Sequence, residues 1–254
     1  MIAANRHQII LDLIESQGSV RTVDLADKLN VTDETIRRDL EKLEQDSLLQ
    51  RTHGGAVTKQ HLNKDRSFEE RSIQNIDAKR VIAEAAAALI KPGDRIFLDA
   101  SSTALQLTTF IRTMSDIVVL TNSALVATEL AKNDAIELII AGGLLDRQSQ
   151  SYIGPAAIGT LRRYRIDKAF FSGNGIDEMS GISEVNDAQA HIKEFVIPRC
   201  GKAILLADPT KLGVSSTYYF AQCEQINTLV TCKDVNHPIL DNLQNKGVRL
   251  ISAG

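Results

Sequence analysis

The stretch "VTDETIRRDLEKLE" (residues 31–44) places Ile36, Leu40 and Leu43 on one side of a helix and charged residues on the rest. Thr32 reads as the N-cap, and Asp33 and Glu34 suit the positive end of the helix. Five acidic residues stand against three basic ones, Arg37, Arg38 and Lys42. Upstream, "RHQIILDLIES" (residues 6–16) sets Ile10, Leu13 and Ile14 at helical spacing, with Ile9 widening the stripe and Gly18 as a stop. Thr22 is read as the cap of a second helix, "VDLADKL", and Asn30 as its end. Downstream, "SLLQRTHGGAV" (residues 47–57) reads as strand, Gly-Gly turn, strand.

Two helices joined by a tight turn, then a hairpin, describe a helix-turn-helix unit with a wing. The major groove admits one helix, whose N-terminal half touches base edges. That half offers Thr35, Arg37 and Arg38, with Lys42 one turn beyond Arg38. Arg51 and His53 on the wing, with Arg21, Thr22 and Thr32 at the helix starts, complete the candidate DNA-contacting set. No acid occurs over residues 47–64, where Arg51, Lys59 and Lys64 supply positive charge, so the basic character is displaced from the helix into the wing and the linker. On pattern alone the same features also fit a three-helix module that binds protein.

The run Arg6, Ile10, Ile14, then Thr32, Thr35, Ile36, Arg37, Arg38, Asp39 and Leu40 resembles the DeoR-type bacterial transcription regulators. "RTHGGAV" is similar to that family's wing, and "FEER" to the start of its linker. The resemblance implies a sugar-metabolism regulator, usually a repressor, with an N-terminal DNA reader and a C-terminal sensor. The expected organisation is residues 1–57 as the reader, 58–76 as a polar linker and 77–254 as an effector and oligomerisation domain.

From Asp77 onward apolar strands alternate with helical segments: "RIFLD", "IVVLT", "IELIIAGG", "DKAFFSG", "KAILLAD", "NTLVT" and "VRLIS". That alternation implies an α/β domain with a mostly parallel sheet covered on both faces. Ligands of such sheets sit beyond the carboxyl ends of the strands. Those ends carry Asp99, Ser101, Ser102 and Thr103, then Thr121 and Asn122, then Gly142 and Gly143. Further along come Asn174, Asp177 and Glu184, the helical Lys193, and finally Asp208 and Lys211. A Ser-Ser-Thr helix start is an ordinary cap as well as an anion site, and each of these features alone has a bland reading.

The family resemblance runs through residues 77–254, and implies a sensor similar to ribose-5-phosphate isomerase and related sugar-phosphate-binding folds. On that basis "DASST" resembles the phosphate loop, and "TNS", "AGG", "GNGID", Lys193 and "ADPTK" the remaining pocket segments. The loop departs from the usual glycine and two threonines, but Ser102 keeps a hydroxyl. Glu184 and Asn186 fall in a variable stretch, so the resemblance leaves the ligand open. It implies double-stranded operator DNA, a phosphorylated sugar or polyol, and a second copy or more of the chain as partners, in a homodimer or homotetramer.

Composition bounds the alternatives. The chain has 254 residues, 43% of them hydrophobic, enough for a small domain beside a larger one. A net charge of −3 argues against a uniformly basic coat but leaves room for a local basic face. Cys200, Cys223 and Cys232 form no CxxC pair and the five histidines have no ligand spacing, so neither a metal nor another cofactor is expected. No long apolar run suggests a membrane span, and the first residues lack a signal-peptide pattern, so a cytoplasmic protein is expected. An isomerase would draw its base from Asp99, Asp177 or Glu184.

Overall fold

The apolar stripes close on one another as their spacing requires. A computed structural model describes residues 3–17, 19–46, 48–52, 54–57 and 67–254, and divides the chain into two units, Met1–Asp65 and Arg66–Gly254. In the first unit Ile10, Ile14, Leu25, Ile36, Leu40 and Leu43 are buried in one core, with Ile9 and Leu13 packed against it. They come from helices α1 (Ala3–Gln17), α2 (Thr22–Leu29) and α3 (Asp33–Gln45). Asn30 ends α2 in the left-handed conformation, and the Thr32 hydroxyl accepts the Thr35 N–H at 3.3 Å. Gly18, His53 and residues 58–66 lie outside the described residues.

The expected hairpin gains a third strand. β1 (Ser19–Arg21), β2 (Gln50–Thr52) and β3 (Gly55–Val57) form an antiparallel sheet in the order β1-β3-β2. Gly55 is required here, because a Cβ would stand 1.8 Å from the Val20 carbonyl oxygen. The same pairing corrects the reading of Thr22. Arg21 occupies the cap position with no side-chain cap bond, and Thr22 is buried, its N–H donating to the Gly54 carbonyl at 2.8 Å. The sheet satisfies that amide, so no hydroxyl cap is needed.

A buried ion pair ties α1 to α3. Arg6 donates to both oxygens of Asp39, with Nη2 to Oδ1 at 3.0 Å, and His7 Nε2 lies 2.9 Å from the same Oδ1. Burial alone pushes the Asp39 carboxyl up, but the bonds and charges of Arg6 and His7 outweigh it and hold the group below its ordinary value.

The second unit opens with α4 (Phe68–Ile73) and α5 (Ile76–Ala87). Its next elements are β4 (Arg95–Leu98), α6 (Ser102–Ile111), β5 (Ile117–Thr121), α7 (Ala124–Leu130) and β6 (Ile136–Ile140). A hairpin of β7 (Leu144–Asp146) and β8 (Ser151–Ile153) leads through α8 (Pro155–Leu161) to β9 (Ile166–Phe171). Then come β10 (Gly175–Asp177), β11 (Gly181–Glu184), α9 (Asp187–Val196), β12 (Cys200–Leu206) and β13 (Tyr218–Ala221). β14 (Thr228–Cys232), α10 (Pro238–Asn245) and β15 (Arg249–Ala253) complete it.

Seven strands form one parallel sheet in the order β15-β14-β12-β9-β4-β5-β6. Alternate residues fill two cores. Phe97, Phe171 and Leu205 face one, and Ile96, Leu98, Phe170, Ile204 and Leu206 face the other. The chain leaves β4 towards β5 and β6, then returns to build β9, β12, β14 and β15 on the opposite side. The reversal falls between β4 and β9.

The expected linker ends early, and residues 67–76 belong to the second unit instead. Ser67 and Glu70 form a capping box that starts α4, with Glu70 N–H donating to Ser67 Oγ at 3.2 Å and Ser67 N–H to Glu70 Oε2 at 3.0 Å. Phe68 is buried, and its N–H donates to the Gln148 carbonyl at 2.9 Å. The anchored aromatic, the reciprocal cap and the bond from Lys79 to the Arg71 carbonyl hold this short helix in place.

Asp39→Ala is expected to cost about 3 kcal/mol, because Arg6 is left buried without its counter-charge. The pair also has an acid limit. The folded Asp39 carboxyl lies below its unfolded value of about 3.9, so its contribution is fully present above that pH. It is lost as pH falls through the lowered folded value. Hydrogen exchange of the α1 and α3 amides from neutral to acid pH, in wild type and variant, checks both statements.

Candidate functional site

The outer face of α3 carries the candidate reading residues. Arg37, Arg38 and Lys42 are exposed, and Thr35 is half-buried beside the Thr32 cap. Arg38 Nε lies 3.3 Å from Glu34 one turn earlier, while Arg37 and Lys42 have no ion-pair partner among the described residues. Arg21 is exposed at the start of α2, and Arg51 stands on β2 in the wing. Thr22 is buried against the small sheet and does not belong to this face.

The second unit has a pocket at the point where strand order reverses, the place where ligands of open α/β sheets bind. Ser101, Ser102 and Thr103 enter it from the end of β4, and Ser172, Gly173 and Asn174 from the end of β9. Asp208 and Lys211 follow β12, and Glu184 ends β11. Ser101 caps α6, its hydroxyl accepting the Ala104 N–H at 3.1 Å. The first amides of that helix have no carbonyl four residues earlier to bond, so they are available to an anion in the pocket.

Beneath the pocket floor lies a buried polar cluster. Asp99 accepts the Ser101 N–H at 3.0 Å and, from the neighbouring strand, the Ser172 N–H at 3.1 Å. Lys193 on α9 donates to the Ser172 carbonyl at 2.7 Å, pairs with Glu184, and lies 3.5 Å from Asp99. Its ammonium also stands 5.0 Å above the Phe220 ring. Asp99 and Lys193 therefore shape the pocket from below.

Residues 6–61 match the DeoR-like helix-turn-helix domain, and residues 74–233 match the DeoR C terminal sensor domain. The chain belongs to the DeoR family of transcriptional regulators. Its curated relatives include an uncharacterized HTH-type transcriptional regulator, YulB of Bacillus subtilis, 38% identical over 98% of this chain and 96% of that one. The HTH-type transcriptional repressor GlcR of the same organism is 33% identical over 99% of this chain and 96% of the other. Among solved structures the chain is similar in fold to ribose 5-phosphate isomerase A from Methanocaldococcus jannaschii, with a TM-score of 0.41 and 21% identity over 55% of each chain.

In this DeoR-family regulator not every residue predicted for the effector site reaches the pocket. Thr121 donates its hydroxyl to the Leu98 carbonyl at 2.8 Å, and buried Asn122 donates to the Tyr152 carbonyl at 3.3 Å. Gly142 and Gly143 form the turn out of β6, where a Cβ on Gly143 would stand 2.6 Å from the Ile153 carbonyl oxygen. Asp177 accepts the Met179 and Ser180 N–H groups in the β10–β11 turn. The reason is strand order: β5 and β6 lie on the far side of β4 from the reversal, and the β10–β11 turn points its carboxylate into its own backbone.

Besides Ser172, four lining residues were not foreseen: Arg71, Gln74, Asn75 and Lys79, all from α4, α5 and the residues joining them. The sequence signal for them was the S-x-x-E capping box at Ser67–Glu70, which marks a helix where a linker was expected. Asn75 reaches Asp208 Oδ1 at 3.2 Å and so joins α5 to the loop after β12. Lys79 is buried and donates to the Arg71 carbonyl. Burial pushes its ammonium down to about 8; Asp208 opposes the fall, while Lys211 and Arg71 add to it. Arg71 Nε is buried with no hydrogen-bond partner among the described residues. Arg71, Lys79 and Lys211 thus bring three cations to a pocket whose own carboxylates are Glu184 and Asp208.

Lys79→Met is expected to stabilise the second unit by about 2 kcal/mol at neutral pH, because a buried ammonium is removed. Between pH 8 and about 10.4 Lys79 binds more proton in the unfolded chain than in the folded one, so its own contribution to stability rises with pH, while the Cys200, Cys223 and Cys232 thiols, pushed up by burial, contribute the opposite slope. Urea unfolding across that window shows the Lys79 contribution as the difference in slope between wild type, the more positive, and the variant.

Proposed function

We propose that the chain represses a carbohydrate-utilisation operon, and that a phosphorylated sugar or polyol bound in the second unit sets its affinity for operator DNA. One observation carries this reading: the pocket at the strand reversal joins a helix N-terminus to three cations and to amide, hydroxyl and carboxylate groups. Helix amides and cations suit a phosphate. Asn174, Asn75 and the pocket carboxylates suit sugar hydroxyls.

The reading helix of one chain is small, and tight operator binding requires more surface than one such module buries. We therefore propose a homodimer or homotetramer that sets two reading helices on half-sites one helical turn, or a multiple of it, apart. Effector and operator then alter each other's affinity by the same factor.

Catalysis is the weaker reading of the same pocket. Asp99 is committed to Ser101 and Ser172, Glu184 to Lys193 and the Val185 N–H at 3.1 Å, and Asp177 to its own turn. That all three carboxylates considered for an isomerase base are already engaged within the protein favours the regulatory reading. A protein-binding adaptor is distinguished by salt, because DNA affinity falls steeply with ionic strength and an apolar contact does not.

Thermal unfolding against a panel of sugar phosphates tests the proposal. A true effector at a hundred times its dissociation constant adds about 2.7 kcal/mol of stability. Ser102→Ala with Thr103→Ala is expected to remove that gain and leave DNA binding intact. Arg37→Ala is expected to weaken operator binding by about 1–3 kcal/mol if the guanidinium meets a base edge. A panel without any stabilising member, together with DNA affinity indifferent to all of them, refutes the effector reading.

A further inference from the structure

Glu44 sits in the last turn of α3, where the helix dipole disfavours a negative charge. Its carboxylate there accepts the backbone N–H of Arg51 at 2.8 Å. Arg51 belongs to β2, one of the two edge strands of the small sheet, whose outer amides have no strand to pair with. The reading helix thus grips the wing through its backbone, seven residues on. One turn earlier Glu41 lies 4.0 Å from the Arg51 guanidinium, both side chains well exposed to solvent.

We infer that these two acids are positioning residues for DNA contact: Glu44 fixes the wing backbone at Arg51, and Glu41 holds the Arg51 guanidinium that a DNA phosphate then takes over. The two contacts have different strengths. A charge-assisted bond to a backbone N–H fixes geometry. An exposed ion pair at the limit of contact is weak and yields readily to a phosphate. Helix and wing therefore meet the duplex as one rigid surface, with a single arginine free to swing between two anions.

The test uses the full chain and two duplexes: one selected from a randomised pool on the wild-type chain, and one of mixed sequence. Affinities are read over a salt series for Glu44→Ala, Glu44→Gln, Glu41→Gln and Arg51→Ala. Glu44→Ala is expected to lower affinity for the selected duplex about tenfold, the loss of one charge-assisted bond. It should also flatten the salt dependence by about 0.9 in slope, one phosphate contact. Glu44→Gln keeps an acceptor oxygen and should keep most of the affinity. Glu44→Ala combined with Arg51→Ala should be no worse than Arg51→Ala alone. Glu41→Gln should raise affinity for both duplexes severalfold, and not in the Arg51→Ala background. Wild-type affinity and slope in Glu44→Ala overturn the assignment of Glu44, as does independent addition of its effect to that of Arg51→Ala. A Glu41→Gln gain that survives without Arg51 overturns the assignment of Glu41. If Glu44→Ala does not fold, the Glu44→Gln and Glu41→Gln comparisons carry the test.

Discussion

One buried ammonium holds together the loops that line the pocket of the second unit. Lys193 is 3% exposed and contacts the end of β9 through the Ser172 carbonyl, the end of β11 through Glu184, and the end of β4 through Asp99. An ionised group in that position costs several kcal/mol unless it is paired and hydrogen-bonded. Two carboxylates surround it, and the Ser101, Ser172 and Val185 amides donate to them in turn. Each member is satisfied only with the others in place. The turn that aims α6 at the pocket is gripped by the same Asp99, so the direction of the helix dipole depends on this cluster.

The reader solves a related problem with charges nearer the surface. Its recognition helix carries more acids than bases, which looks unsuited to a polyanion. Four of those acids have partners: Glu34 meets Arg38, Asp39 meets Arg6 and His7, Glu41 meets Arg51, and Glu44 meets the Arg51 amide. Asp33 sits in the first turn, where the dipole favours it. Asp39 and Glu44 therefore tie α3 to α1 and to the wing, Glu34 and Glu41 meet arginines at the surface, and Arg37 and Lys42 are left on the exposed face with no ion-pair partner among the described residues.

The parts of this architecture that local rules govern are legible in the sequence. The Ile10–Ile14 and Ile36–Leu40–Leu43 stripes, the Thr32 cap and the Asn30 terminus are periodicity and capping, and all four stand as read. The seven parallel strands are expected from uninterrupted apolar runs. What escaped is set by long-range pairing. β1 is three residues long and exists because β3 comes beside it. Thr121, Asn122, Gly142 and Gly143 have the composition of a ligand loop at the right end of the right strands. Whether they reach the pocket depends on which side of β4 the strand order reverses, and no local pattern encodes that it is the β9 side and not the β5 side. α4 is short, polar and carries one buried side chain, so its apolar signal is too weak to separate it from a linker.

The places where the structure departs from the ordinary rules of stability gather at that same segment. Lys79 is an ammonium buried deeply enough to lose much of its affinity for a proton, and Arg71 keeps a buried Nε with no acceptor among the described residues. Both groups would be better solvated at the surface, and both line the pocket. Natural sequences retain such local conflicts mainly where function requires them. The phosphorylated ligand proposed above would ease both, since it would bring an acceptor for Arg71 and a counter-charge for Lys79. Both residues sit in the first elements of the second unit, the stretch of chain nearest in sequence to the DNA reader.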